Sequence, residues 1–401
     1  MERAEPSGEA AGAAAAPYRD PEPFSVDAQG HRLAFYPAGP DRFARLIELI
    51  EGARETIRIA FYIFAPDSSG TRVRDALVAA CRRGVGVNLI VDGFGASAGD
   101  SFFAELCEAG GRFRSFMPRW GVRYLIRNHQ KIVVVDDKVA MLGGFNIEDS
   151  YFAAPEGDAW ADLGFTVEGP LVRRVADWFT ELEAWTYASR PRFNDIRRRV
   201  RRWDAGAGPV QLLIGGPTRG LSSWARGVGR DLVDGERLDL IMAYFSPSRR
   251  LLKRMQRIAR RGQARLVLAG KSDNLATIGA SRALYGGMLR AGARIWEFQP
   301  CRLHTKLIVL DDTVYLGSAN LDMRSLYLNL EIVVRIEDRA LAERVRRFVS
   351  DHIPASIEIT RELHARRATW LNKARWWAGW FLVSVLDYKL SRKLNLGLAE
   401  R

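Results

Sequence analysis

Two stretches of this chain run through the same succession of apolar and polar positions. In the first, an apolar run from Ile57 to Pro66 (IRIAFYIFAP) leads into a basic amphipathic segment ending Arg82-Arg83-Gly84. A second apolar run, Val85 to Asp92, and another amphipathic segment ending Ala109-Gly110 follow. In the second stretch the same order is Leu238 to Pro247 (LDLIMAYFSP), a segment ending Arg260-Arg261-Gly262, the run Gln263 to Ala269, and a segment ending Ala291-Gly292. Each copy closes on two short β-branched runs divided by Asp-Asp: Ile132 to Val135 before Asp136-Asp137, and Leu307 to Leu310 before Asp311-Asp312. Short apolar runs bounded by turn residues predict buried strands, and the last pair in each copy predicts a β-hairpin. Strand, helix, strand, helix, hairpin, written twice, predicts an α/β protein of two similar sandwich halves facing each other.

The hairpins carry the chemistry. His129-Gln130-Lys131 opens the first, with Gly143-Gly144-Phe145-Asn146 on its return; His304-Thr305-Lys306 opens the second, with Gly317-Ser318-Ala319-Asn320 on its return. The chain has 5 histidines, and two of them stand in this repeated setting, 175 residues apart. Positions i and i+2 of a strand share a face, so each His shares a face with its Lys, and the returning strand brings the Gly-rich Asn segment beside them. A lysine pointing inward from an apolar strand is costly unless it meets an anion. Asp136 and Asp311 are different, because seven residues of strand carry them roughly 23 Å from their histidines, which makes them turn residues. The carboxylates better placed to orient the histidines lie downstream. The expectation is Asp162, in Trp160-Ala161-Asp162, for His129, and Glu331, in Asn329-Leu330-Glu331, for His304.

Charge narrows the partner. A net charge of +13 at pH 7 favours a polyanion, whether nucleic acid or an anionic membrane. Three widely spaced cysteines, Cys81, Cys107 and Cys301, suggest a reducing compartment without a disulfide framework. Cys301-x-x-His304 has no second Cys or His pair beside it, so no zinc site is expected. His31, His352 and His364 lack repeated context and are expected at the surface or as caps. Residues 1–25, rich in Ala, Glu, Gly and Pro, predict a disordered tail rather than a signal peptide. The stretch Arg190 to Arg202 holds seven arginines, which suits a solvated helix face or linker and, alternatively, a patch for lipid headgroups. Trp370, Trp376, Trp377 and Trp380 lie at the C-terminus, where Trp376 to Leu386 carries no charge and basic residues flank it: Arg366, Arg367, Lys373 and Arg375 before, Lys389, Arg392 and Lys393 after. That stretch is too short to span the roughly 30 Å of a bilayer core. It predicts a monotopic membrane anchor, with a helix buried against the second half as the alternative.

The two blocks resemble the His-x-Lys-x4-Asp signatures of the phospholipase D superfamily. The flanking Arg127-Asn128-His129-Gln130-Lys131, Gly143-Gly144-Phe145-Asn146, Trp160-x-Asp162 with Gly169-Pro170, and Gly317 to Ser325 through Asn329-x-Glu331 resemble bacterial cardiolipin synthase-like members. The likeness runs from about residue 30 to 355, with two departures. Gly144 stands where many members have Ser, and the second hairpin is one residue shorter between Asp311 and Gly317.

The resemblance implies a catalytic set of His129, Lys131, Asp136, His304, Lys306 and Asp311, a phosphate site made by Asn146, Asn320, Ser318 and Gly144, and Asp162 and Glu331 as orienting acids. It also implies His129 as a nucleophile forming a phosphohistidine and His304 as acid and base, a pair of roles the pseudo-twofold repeat leaves open to exchange. Two lysines, two asparagines and two histidines can neutralise, attack and protonate a phosphodiester with no metal or cofactor. The implied activity is cardiolipin synthase-type transfer of a phosphatidyl group from phosphatidylglycerol to a second glycerophospholipid. Alternatives are phospholipase D hydrolysis and, less favoured, a nuclease or other phosphodiesterase. The expected partners are anionic phospholipids and a membrane surface, not nucleic acid, with peripheral or monotopic attachment on the cytoplasmic side of the bacterial cell membrane. The expected organisation is a tail (1–25), a first half (30–188), an Arg-rich linker (189–207), a second half (208–358) and a membrane-associating segment (362–401).

Overall fold

The structure, a computed structural model, describes residues 18–117, 126–155, 158–189, 191–218 and 220–386, with residues 385 and 386 in backbone only. The first half supplies β1 (Phe24–Ala28), β2 (His31–Tyr36), β3 (Thr56–Phe61), β4 (Gly86–Asp92), β5 (Arg112–Phe116), β6 (Ile132–Val135), β7 (Val139–Gly143), β8 (Trp160–Ala161) and β9 (Gly164–Glu168). The second supplies β10 (Val210–Gly215), β11 (Arg237–Met242), β12 (Gln263–Ala269), β13 (Arg294–Phe298), β14 (Arg302–Leu303), β15 (Lys306–Leu310), β16 (Thr313–Gly317), β17 (Glu331–Glu337) and β18 (Ser356–Glu358). Among the described residues these make two 8-stranded sheets, β1-β2-β9-β7-β6-β3-β4-β5 and β10-β17-β16-β15-β11-β12-β13-β18. In each, the βαβ strands pair in parallel (β3 with β4, β11 with β12) and the hairpin pairs antiparallel on the other side (β6 with β3, β15 with β11). Both expected hairpins form, β6 with β7 and β15 with β16. The missing residue of the second is lost from its turn: Val135 pairs Val139 across three residues, Leu310 pairs Thr313 across two.

β6 and β15 are buried along their whole length, because helices cover one face of each sheet and the other half covers the second face. The core between the sheets is shared. Leu33, Val134 and Phe165 join Leu212, Val309 and Val334 in one continuous cluster. The helices Leu171–Thr186 and Arg339–Asp351 add to it from the two halves, the former burying Val175, Trp178, Phe179 and Leu182. At about 1.5–3 kcal/mol for each large apolar side chain buried, this shared layer holds the halves in one register.

Three expectations need correction, and a fourth is narrowed. The tail is shorter than 1–25, for Phe24 begins β1 and the ring of Tyr18 packs edge-on against Phe298 at 4.8 Å; residues 1–17 lie outside the described residues. Of the two forms expected for the Arg-rich stretch, helix face or linker, it takes the helix: Phe193–Arg202 sends Phe193, Ile196 and Val200 into the shared core and pairs Arg198 with Asp195, and Arg190 lies outside the described residues. Of the three histidines expected at the surface or as caps, His31 does cap, its Nε2 receiving Leu171 N–H at 3.0 Å at the start of a helix, but it is buried. His352 is buried too, in contact with Phe348 and Phe298. Finally, the C-terminal apolar stretch is half inside the fold. In the helix Trp370–Phe381, Trp376 is buried and stacks on His364, and Gly379 lies against Ala276 of the helix Leu275–Arg290. Its other face, Trp377, Phe381 and Leu382, is exposed, and the flanking Lys389, Arg392 and Lys393 lie outside the described residues. Among the described residues no helix is long and apolar enough to cross a membrane.

Candidate active site

The two hairpins meet at a pocket of about 370 Å³ whose wall includes His129, Asn146 and Tyr151 from the first half and His304, Asn320 and Asp322 from the second. β3 and β11 end earlier than the apolar runs suggest, because the chain beyond them turns over the pocket. Tyr62 and Tyr244 join its wall, and Phe64 and Phe245 bridge to Ile147 and Leu321 just past the asparagines.

Each histidine is held by the acid of the opposite half, which reverses the expected pairing. His129 Nδ1 lies 3.1 Å from Glu331 Oε2, and His304 Nδ1 lies 2.7 Å from Asp162 Oδ2. The cause is a pair of backbone crossings that local hairpin geometry does not reveal. β14 pairs in parallel with β8, with His304 N–H donating to Ala161 O at 2.8 Å; Asn128 bridges in parallel to Leu330, with His129 N–H donating to Leu330 O at 3.0 Å. The chain approaching each histidine is thereby zipped to the chain approaching the other half's acid. The residue between His and Lys strengthens the crossing: Gln130 Nε2 donates to Glu331 O at 3.0 Å while its Oε1 accepts from Trp178 Nε1, and Thr305 Oγ1 donates to Ala161 O at 3.3 Å.

The electrostatics set both rings neutral at rest. Burial first, then Lys306, pushes the His304 imidazole down to about 3 against the pull of Asp162. Burial, Lys131 and Lys306 push His129 well below its ordinary value. Burial works to raise the Asp162 carboxyl, but His304, Lys306 and Arg42 bring it to about 2, so it is ionised. An ionised carboxylate can only accept, so His304 Nδ1 carries the proton and its Nε2 lone pair faces the pocket, 3.5 Å from Tyr151 Oη. Burial raises Glu331 to about 7 against Lys131 and Ser318. Lys131 and Lys306 lie behind the histidines, each Nζ donating to the carbonyl of its own His, and burial depresses them to about 7 and about 8.

Four residues expected at the phosphate or in catalysis sit elsewhere. Ser318 does not line the pocket but donates its hydroxyl to Glu331 Oε2 at 2.5 Å, and Gly144, its counterpart, packs so close that a Cβ there would be 2.7 Å from Asp162 Oδ1. Asp136 and Asp311 are turn residues, as strand length requires, and not part of the pocket. Both have positive φ (52° and 49°); Asp136 accepts the N–H groups of Arg54, Glu55 and Thr56, and Asp311 those of Glu236 and Arg237. Asn146 and Asn320 do line the pocket.

Sequence reasoning missed Arg42. It is fully buried, donating Nη1 to Asp162 O at 2.5 Å and Nη2 to Tyr151 O at 2.7 Å, and so fixes the acid behind His304 and the tyrosine before it. A lone arginine on an amphipathic helix carries no signal of this. Tyr151 was legible only as an aromatic after Asn146.

The chain matches the family model described as "Cardiolipin synthase, PLD-like domain" over residues 46–182 and 234–352. It is 29% identical to the major cardiolipin synthase ClsA of Bacillus subtilis (strain 168), over 83% of this chain and 71% of that one. To cardiolipin synthase 1 of Bacillus anthracis it is 30% identical, over 82% of this chain and 68% of that one, and to cardiolipin synthase B of Escherichia coli (strain K12) 29%, over 86% of each. Among solved structures, phosphatidylserine synthase of Haemophilus influenzae Rd KW20 superposes with a TM-score of 0.70 at 14% identity, covering 94% of this chain and 95% of that one, a likeness of fold.

Proposed function

Because this chain belongs to the cardiolipin synthase family of phospholipase D-like enzymes, we propose that it is a transphosphatidylase working through a phosphohistidine on His129, with phosphatidylglycerol as donor and a second glycerophospholipid as acceptor. The observation that carries the reading is the pair of His-Lys units facing one pocket, each histidine backed by a carboxylate from the other half. In the first step His129 Nε2 forms a bond to phosphorus as the bond to the headgroup oxygen breaks, and His304 gives that oxygen its proton. In the second, His304 Nε2 takes the proton of the acceptor hydroxyl, whose oxygen bonds to phosphorus and releases His129. The phosphodiester is itself the charge that prepares this. Its negative oxygens offset Lys306 and Lys131, whose repulsion adds to burial in holding His304 neutral, so substrate binding favours the protonated His304 the first step needs.

His304 takes the acid role because its partner is the permanently ionised one. Asp162 favours an imidazolium, whereas the softer Glu331 leaves His129 a free imidazole. The test is to trap the phosphorus-linked intermediate from labelled short-chain phosphatidylglycerol. We expect label on the His304→Ala protein and none on His129→Ala; the reverse pattern exchanges the roles, and label on neither rejects the covalent route.

The same reading seats the pocket on an anionic bilayer. Val383 lines the pocket and directly follows exposed Leu382, while Leu275, 79% exposed, follows the pocket-lining Asn274. Across the mouth, Phe94 is exposed under the Arg127 guanidinium, 4.0 Å from its ring. Apolar side chains ringed by cations suit the headgroup boundary of an anionic membrane.

A further inference from the structure

The halves repeat each other, yet the pocket they enclose has unlike ends. Beside His129 stand Tyr62, 5.0 Å between ring centroids, and Arg127, whose Nη1 donates to Tyr62 Oη at 2.7 Å. Beside His304 stand Tyr151 at 5.1 Å and Tyr244 at 6.4 Å, and Tyr244 Oη donates to Asp273 Oδ1 at 3.1 Å. The repeat has no counterpart for that pair. Matching Phe61-Val91 to Met242-Leu268, the equivalent strand partners, sets Ile63 against Tyr244 and Ala96 against Asp273. This end is therefore an addition to the duplicated plan rather than a consequence of it.

What it adds is acceptor oxygen. Asp273 spends one oxygen on Tyr244, and Asp322 spends Oδ1 on Ser325 N–H at 2.8 Å. Asn320 and Asn329, 2% and 7% exposed, line the same pocket with side-chain oxygens that have no hydrogen-bond partner. Buried acceptors without donors are rare in folded proteins, and a ligand that completes this wall must bring O–H or N–H groups. Cationic charge is already at hand on this wall, since Arg324 lines the same pocket and acts on Asp322, and Lys306 lies in the field of both Asp322 and Asp273. The remaining demand is for hydrogen-bond donors rather than for a cation.

Resting on the transphosphatidylation reading, we propose that Tyr244, Asp273, Asp322 and Asn320 form an alcohol subsite for a neutral polyhydric group of the glycerol type. It holds the leaving headgroup in the first step and the acceptor alcohol in the second, beside the histidine that moves the proton in both. A glyceryl group keeps free hydroxyls after its reacting oxygen is used, and these donate to the carboxylates and the asparagine oxygen. An ethyl group has none to offer.

The test uses the full chain and three soluble short-chain diesters that differ only in headgroup: glyceryl, ethyl and ethanolamine. Because the leaving alcohol occupies the subsite, kcat/KM for headgroup release reads it whatever the acceptor. The wild type should prefer glyceryl to ethyl by about tenfold or more, and Asp273→Ala, at an exposed rim position, should bring that ratio near one; Tyr244→Phe should move it part of the way. Equal losses on glyceryl and ethyl diesters would overturn the subsite while leaving the reaction standing. A wild-type preference for ethanolamine that vanishes in Asp273→Ala would overturn it in favour of an ammonium site. A wild type that releases none of the three would overturn the lipid reading itself.

Discussion

His129 and His304 occupy the same position in two copies of one fold, and their surroundings differ in the acid behind each. Glu331 takes a hydroxyl from Ser318 and leaves Oε1 without a partner, and burial raises it to about 7. Asp162 has a glycine where that serine would be. It is answered by His304, Lys306 and the buried Arg42, and is held near 2. The two halves of this duplicated site thus differ in the charge state of the residues behind the histidines, not in the histidines themselves. On the proposed mechanism, one pair is a fixed ion beside the proton carrier and the other a titrating acid beside the nucleophile.

The largest effect that would break this comparison is at the rings. Replacing His129 or His304 with Ala should lower kcat by about 10⁴ or more, since the two act in series and each acid or base contribution is worth roughly 10²–10⁴. Near wild-type turnover by one variant would mean that the halves do not share a site.

The acids sharpen it. Asp162→Asn should cost about 10²–10⁴ in kcat, for it removes the charge that favours a protonated His304. Glu331→Gln should cost less and change the shape of the pH profile. With the acid near 7, ionisation rises as pH rises through neutrality, and the carboxylate then stabilises the positive ring that His129 becomes on attacking phosphorus. We expect activity in the wild type to climb between pH 6 and pH 8 and Glu331→Gln to flatten that limb. A limb that survives in Glu331→Gln but vanishes in Asp162→Asn would exchange the two acids' roles.

At the mouth, Trp377→Ser combined with Phe381→Ser should weaken binding to anionic vesicles by roughly tenfold or more, because an apolar side chain of this size contributes about 1.5–3 kcal/mol on burial. Turnover of a soluble short-chain diester should hold. Point substitutions suit this better than truncation, since removing the whole helix would also strip Trp376 and Gly379 from the second half. Unchanged vesicle binding would detach the exposed face from the membrane reading.

The smallest effect is in stability. Asp136→Ala takes the acceptor from three backbone N–H groups and Asp311→Ala from two, so we expect losses of about 1–3 kcal/mol, larger at Asp136, in denaturant unfolding. Activity per folded molecule should stay put; a selective loss of kcat would return these aspartates to the chemistry.

Much of this was legible in the sequence because it is local. Strand and hairpin periodicity, the Asp-Asp turns and the shared face of His and Lys follow from residues a few positions apart, and duplication made them unmistakable. The acid pairing was not legible because it is decided by β8 against β14 and Leu330 against Asn128, contacts between segments far apart in the chain. A hairpin seen alone offers its own downstream carboxylate, and nothing in Trp160-x-Asp162 says that it belongs to the other copy. Ser318 and Gly144 were misplaced for the same reason: read as facing a phosphate, they face the acids that the crossing brings in.

The crossing also governs when the protein becomes an enzyme. On a ribosome the first hairpin, with His129 and Lys131, emerges long before Glu331, and Asp162 long before His304. Until the halves join, neither imidazole has its carboxylate, and a prematurely terminated chain carries His129 without Glu331. Both His–carboxylate pairs therefore depend on the same junction of the halves.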